Sequence, residues 1–448
     1  MLAQASLLLS SLLPFSSKNM ELKKSLTPTL LWGLGVGYVI SGMYFGWNLG
    51  LQEGGTLGMA VATGLVIAMY LGFTLSYAEL ACAIPKAGGA FDYASRAIGE
   101  RGGFLAGMAQ NIEFLFAPPA IAAGIGAYVA LFVPSVPPLA IAVGVYILFT
   151  VLNILGTNIA ATFELLVTVV AVVGLVLFAS ITLPNFSRKA FTANALPNGW
   201  GGVFAAIPFA IWFFLGIEGL ANVAEESLNP QRDLTRGFLL AMATLVVLCA
   251  FTFVSAVGVS GWEGVVFDES GLASDSPLPL ALQQVGTEKH PLYNVIIGFG
   301  IFGLVASFHG LLLAAGRSTY EFCRLGNGPA LLGKIHAKYR TPANALLLNM
   351  GIGLVALLTQ STAEIIILSA FGALTMYSFS LVSFIILRRK EPGLERPFRT
   401  PGYPLVPWVT LVIAVVSLIA LTIYNPVSAL LFVGVMGGSY VLKKLLGA

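Results

Sequence analysis

Residues 207 to 224 read IPFAIWFFLGIEGLANVA, an apolar run with a carboxylate, Glu218, at its middle and glycines at Gly216 and Gly219. A charged side chain at mid-bilayer costs at least about 2.5–3.5 kcal/mol even on lenient scales, so it marks a functional position. Glycine readily gives up the helical ladder. Freed backbone inside a membrane is tolerated only where it lines a cavity or is buried in protein. GIEG therefore predicts a broken span whose carboxylate faces a cavity.

The rest of the chain fits that reading. Of 448 residues, 57% are hydrophobic and 10% charged, with a mean hydropathy of +0.89; soluble domains carry about 25% charged residues. Apolar runs of about 20 residues, enough for about 30 Å of hydrocarbon, recur about twelve times. Their cores are 28–51, 57–83, 103–132, 138–156, 159–182, 203–223, 237–260, 292–318, 342–360, 363–387, 404–423 and 426–442. The runs are continuous rather than alternating, which argues for an all-α membrane protein and against a β-barrel.

Lys and Arg stay on the cytoplasmic side. With the N-terminus inside, only Arg188, Lys189 and Lys289 of the 23 basic residues fall outside, while the 261–290 loop carries five acidic residues. The expected topology is a multi-pass protein of the inner or plasma membrane with both termini cytoplasmic. The net charge of +3 reflects this asymmetry and gives no reason to expect a nucleic-acid partner. Cys82, Cys249 and Cys323 lie far apart and suggest no disulfide framework. Residues 1–16, MLAQASLLLSSLLPFS, lack a basic n-region and a cleavage site, so residues 1–25 read as a cytoplasmic tail.

A second span interrupts its apolar run at mid-depth. The first contains GLGVGYVISGMYFGWNLG, in which Gly42, Gly46 and Gly50 are compatible with either close helix packing or unwinding. Two glycine-interrupted spans, each opening a set of five, point to an inverted-repeat transporter with its site at the midplane. The halves would be 26–182 and 203–387, with 404–442 as two added helices and 443–448 as a cytoplasmic end.

Several stretches together resemble the amino acid/polyamine/organocation (APC) superfamily: ISGMYFG in span one, SYAELACAIPKAGGAFDYASRAIGERGGFLAG at 76–107, FFLGIEGLANVAEESLNPQRDLTRG in and after span six, and GRSTYEFCRLGNGPALLGKIHAKYRTPANALLL between spans eight and nine. Within it, YFGWNLGLQEGGTLGM, FAIWFFLGIEG with AEES, and FGLVASFHGLLLAAGRSTYEF look most like bacterial ethanolamine permeases. The resemblance implies a LeuT-type 5+5 fold with discontinuous helices 1 and 6. It also implies proton-linked uptake or exchange of a small amine, with a proton gradient and no cofactor. Many amino acid carriers of the superfamily have a lysine in span five; matching TFELLVTVVAVVGLVLF to that pattern puts Ala171 there, and the span holds no Lys or Arg. A missing inward cation fits a cargo that is itself cationic and lacks a carboxylate.

Glu53, Glu79, Glu113, Glu164 and Glu218 lie in or beside spans. Glu79 reads as structural, Glu53 as solvated or part of an outer gate, and Glu164 as solvated or loop-pairing near the start of span five. Glu113 and Glu218 remain as the pair suited to an ammonium, which needs a counter-charge when it leaves water. A buried carboxyl can hold a proton when the site is empty and yield it to an arriving cation, which would couple amine and proton. Ring faces stabilise an ammonium by about 0.5–2 kcal/mol, which nominates Trp212, Phe213, Phe214, Tyr38 and Tyr44; the resemblance ranks Trp212 and Phe214 first as substrate caps. Ser41, Gly42 and Gly216 would present freed backbone and a hydroxyl. Asn111 resembles a substrate contact of the family. His309 could shuttle protons near neutral pH or simply pack.

GFGIFG at 298–303 matches G-x-G-x-x-G only formally, since no strand precedes it, and nucleotide-binding and metal-spaced motifs are absent from the sequence. The expected function is a proton-coupled permease of ethanolamine or a similar amine. An amino acid permease or exchanger is the alternative, and a membrane-embedded sensor or enzyme a more distant one.

Overall fold

The computed structural model describes residues 24–156, 161–286 and 291–445; the tail expected at 1–25 falls almost entirely outside them. The described residues are helical, with isolated bridges at Leu26–Ser227 and Phe267–Ala273 but no strands. Ten helical segments among them are long and apolar enough to cross a membrane. Span one is interrupted and span nine, Ala343–Leu358, is short, which brings the arrangement to the expected twelve.

Helix boundaries follow local chemistry. Span one starts at Pro28, where Thr27 Oγ1 accepts the amide of Leu30 and the proline occupies the first turn, where its missing N–H has no cost. Span four also begins on a proline, Pro138, and ends at Gly156 in the left-handed region. The C-terminal end of span one runs into span two through a kink at Gly55, so Leu49–Ala83 is one continuous element.

Spans one and six depart most from regular helix. Span one is helical over Pro28–Val39, makes a further turn at Ser41–Tyr44, and then passes through an extended Phe45 and Gly46 at φ +86 before resuming at Leu49. Span six is helical over Gly199–Ala205 and Ile207–Trp212, turns through Phe213–Gly216, and continues as a 3-10 segment over Ile217–Glu226.

At the basic end of the bundle, Glu79 gathers spans two and ten and the loop before span eleven. Its carboxylate lies 2.7 Å from the Arg388 guanidinium and 3.2 Å from that of Arg396, and it accepts the amide of Thr400 at 2.6 Å. Arg388 also lies over the Tyr403 ring, 4.7 Å from its centroid. The structural reading of Glu79 thus has a physical basis. Glu79→Gln leaves two arginines facing each other without their shared anion, a loss of about 3 kcal/mol for a pair this well enclosed. Thermal unfolding in detergent should show it, with partial recovery in Glu79→Gln/Arg388→Met.

Candidate functional site

The interrupted stretches of spans one and six touch. A side-chain carbon at Gly42 would run into the Trp212 carbonyl and stand 3.1 Å from Phe213 Cα, so only glycine lets the two backbones cross there. Gly46 supplies the left-handed φ, and Gly50 packs on Met59 and Phe209. The spaced glycines of span one therefore serve both unwinding and packing. At the break in span six Gly216 takes the left-handed conformation, at φ +103. Gly219 lies in the 3-10 segment that follows, and a side-chain carbon there would stand 3.0 Å from the Tyr38 ring.

Aromatic rings fasten the crossing. Trp47 stacks on Phe213 at 5.4 Å between centroids, and Phe45 meets Trp212 edge-on at 5.6 Å. The Trp212 indole nitrogen finds no acceptor among the described residues. Ser307 of span eight holds span one from the other side: its hydroxyl accepts the Ser41 amide at 3.0 Å and donates to the Gly37 carbonyl at 2.6 Å. Sequence reasoning missed Ser307. Its signal was a polar residue two positions before His309 in an otherwise apolar stretch.

Below the crossing lies a pair of carboxyl groups. Glu218 in the interrupted part of span six and Glu113 in span three are both 0% exposed and within hydrogen-bonding reach of each other. Glu218 Oε2 accepts from the Tyr377 hydroxyl at 2.9 Å, and that hydroxyl lies 2.9 Å from the Tyr70 hydroxyl. Neither oxygen of Glu113, nor Glu218 Oε1, has a donor among the described residues. Ser369 of span ten donates to the Glu113 carbonyl, and the lack of a side chain at Gly372 lets span ten lie directly on that turn. Two adjacent carboxylates in a dry site with no cation beside them among the described residues repel each other, a cost that one proton held between them would relieve. Tyr70 and Tyr377, which complete this network, were not foreseen; nothing local in span two or ten distinguishes them from packed tyrosines.

The other nominated residues are distributed around this centre. Phe214 packs on Tyr70 at 5.3 Å. Tyr44 donates to the Ala171 carbonyl at 2.6 Å, and its ring lies against Gly300 and Gly303. Two glycines of the GFGIFG stretch thus serve as a bed for this ring. Asn111 lies two residues before Glu113, on the other side of span three, and its side-chain oxygen accepts from Thr319, which also joins Asn349 of span nine. His309 faces span four, its ring 6.1 Å from that of Phe149. Glu164 corrects the sequence reading: it is 5% exposed, not solvated, and its Oε1 lies against Gly37, because span five packs directly on the N-terminal helix of span one.

At the end opposite the basic residues, a cavity of about 600 Å³ opens beside Asp268, Asp275 and Thr362. Thr362 at the start of span ten donates to Asp275 at 2.8 Å. Burial pushes the Asp275 carboxyl from its ordinary 3.8 up to about 6. A carboxyl raised in the folded state does not alter stability below its ordinary value. It lowers stability progressively as pH rises through about 6, by at most about 3 kcal/mol. Asp275→Asn, which keeps an acceptor for Thr362, should match the native unfolding temperature at pH 4 and exceed it at pH 8.

The sequence model described as amino acid permease matches residues 29–436. The chain is 26% identical over 414 residues to an uncharacterized transporter of Rhizobium meliloti, spanning 88% of this chain and 85% of that protein. It is 26% identical to a branched-chain amino acid permease of Bacillus subtilis, spanning 93% and 95% of the two chains. A methylthioribose transporter of Bacillus subtilis is 24% identical, with 88% and 87% covered. With a match that runs from the first span to the last, this chain belongs to the amino acid permease family and is a membrane transporter rather than an enzyme.

Proposed function

We propose that the protein carries ethanolamine, or a closely similar short amine, by alternating access, coupled to protons and with its basic end in the cytoplasm. The carrying observation is the Glu113–Glu218 pair beside the crossing of the two interrupted spans. An ammonium entering between these carboxyls would take the place of the shared proton, so that loading and deprotonation are one event. Tyr377 and Tyr70 would orient Glu218, and a hydroxyl on the cargo could bond to backbone freed near Ser41 and Gly216. The two five-span halves would rock about this point.

An amino acid permease is the second reading, favoured by the names of the relatives. Such a cargo adds a carboxylate, for which freed amides are the usual partners. In span one the amides of Ser41, Met43, Phe45 and Gly46 are taken, by Ser307, Ile40, Ser41 and Asn48 respectively. The amides of Gly42 and Tyr44 are not among these, so it is the lack of a cation in span five that supports a cargo without a carboxylate. Radiolabelled uptake into proteoliposomes decides between them. Ethanolamine uptake that saturates and rises with an imposed pH gradient is expected. Isoleucine uptake exceeding it would establish the second reading.

A further inference from the structure

We propose that Tyr77, with Gln110 and Tyr93, carries the coupling proton between the Glu113–Glu218 pair and the cytoplasmic side, by a path separate from the crossing of the interrupted spans. The proposal rests on the transport reading above and adds the route.

Tyr70, Phe73 and Tyr77 share one face of span two, and Phe73 stacks on Tyr77 at 4.9 Å. Tyr70 reaches the carboxyl pair through Tyr377; Tyr77 lies two turns nearer the basic end. The Tyr93 ring meets that of Tyr77 edge-on at 5.4 Å, span seven presents the edge of Phe238 at 6.0 Å, and Gln110 stands one turn before Glu113 on span three. The Tyr93 hydroxyl and the side-chain oxygen of Gln110 are buried with no hydrogen-bond partner among the described residues, and the Tyr77 hydroxyl, also buried, has the Ala90 amide beside it. Polar groups enclosed in this way are satisfied by water.

Tyr77 and Gln110 converge on one glycine. A side-chain carbon at Gly89 would stand 3.0 Å from the Tyr77 hydroxyl and 3.9 Å from the Gln110 oxygen. The Gln110 amide donates to Asn222 of span six, and both residues line a cavity of about 20 Å³ that also touches Glu321. That volume admits about one water. Beyond Tyr93 lie Asp92, Lys86, Glu225 and Glu321, a charged mouth at the basic end. A proton leaving the carboxyl pair would be accepted by the Tyr77 oxygen as the Tyr77 hydroxyl proton passes to water beside Gln110. The reverse rotation resets the hydroxyl, and no group gains or loses charge overall.

Tyr77→Phe keeps the ring and removes only the relay. Two measurements test it. In infrared spectra of the native protein moved into D₂O, the carboxyl band assigned by Glu113→Gln exchanges at a measurable rate; in Tyr77→Phe that rate should fall at least about tenfold. In proteoliposomes, Tyr77→Phe should keep ethanolamine counterflow within about twofold while accumulation driven by a pH gradient drops about tenfold or more. Equal exchange rates, or unchanged driven accumulation, would overturn the proposal. So would parallel loss of counterflow and accumulation in a monodisperse protein. Tyr93→Phe repeats the test one step further along if Tyr77→Phe does not fold. Failure of native protein to move ethanolamine refutes the function proposed above, whereas the infrared comparison decides the path for any cargo.

Discussion

Glu218→Gln should weaken ethanolamine binding by about 30-fold or more, since removing one member of a buried charge pair costs about 2–5 kcal/mol. Glutamine preserves the shape and can still accept from Tyr377, so the loss reports charge rather than packing. Titration calorimetry of purified protein provides the reading, and an unchanged affinity would remove Glu218 from the site. Glu113→Gln separates two roles that the geometry leaves joined. With Glu218 alone ionised, the amine still binds, but it displaces no proton from the pair. Measured in buffers of differing ionisation enthalpy, the native protein should release a proton on binding and Glu113→Gln should release none. Affinity for the native protein should accordingly rise with pH over the range in which the pair loses its proton.

The sequence exposed what depends on the bilayer. Helix positions followed from apolar length, and the two interrupted spans followed from glycine and charge at mid-depth. Glu113 and Glu218 were legible because ionisable groups there are costly enough to need a reason. What sequence could not show is which side chains the fold brings to them from afar. Tyr377 reaches Glu218 across 159 positions and Ser307 reaches Ser41 across 266. Tyrosine and serine carry little penalty in an apolar helix, so neither advertised its partner. Glu164 was misplaced for a related reason: distance along the helix from the predicted membrane edge does not say whether another span covers that face. His309 looked suited to proton transfer by residue type, but the face of span eight on which it sits is turned toward span four.

Gly42→Ala should abolish transport while leaving a folded, membrane-inserted protein. The new carbon would meet the Trp212 carbonyl and Phe213 Cα, backbone atoms that cannot swing aside as a side-chain tip can. The crossing must therefore open. Forcing one extra carbon into a packed core costs about 1–3 kcal/mol, which a bundle of this size tolerates. Function is more sensitive, because a shift of about 1 Å in a preorganised site can cost about 100-fold. Gly64→Ala on span two provides the control: nothing lies within 4 Å of the added carbon, and alanine favours helix by about 0.5–1 kcal/mol. Uptake by Gly64→Ala should equal that of the native protein and its unfolding temperature should not fall. If Gly42→Ala also transports at the native rate, the contact between the two interrupted spans is incidental. The site would then have to be sought away from that crossing, among spans two, three and ten, where Tyr70, Glu113 and Tyr377 lie.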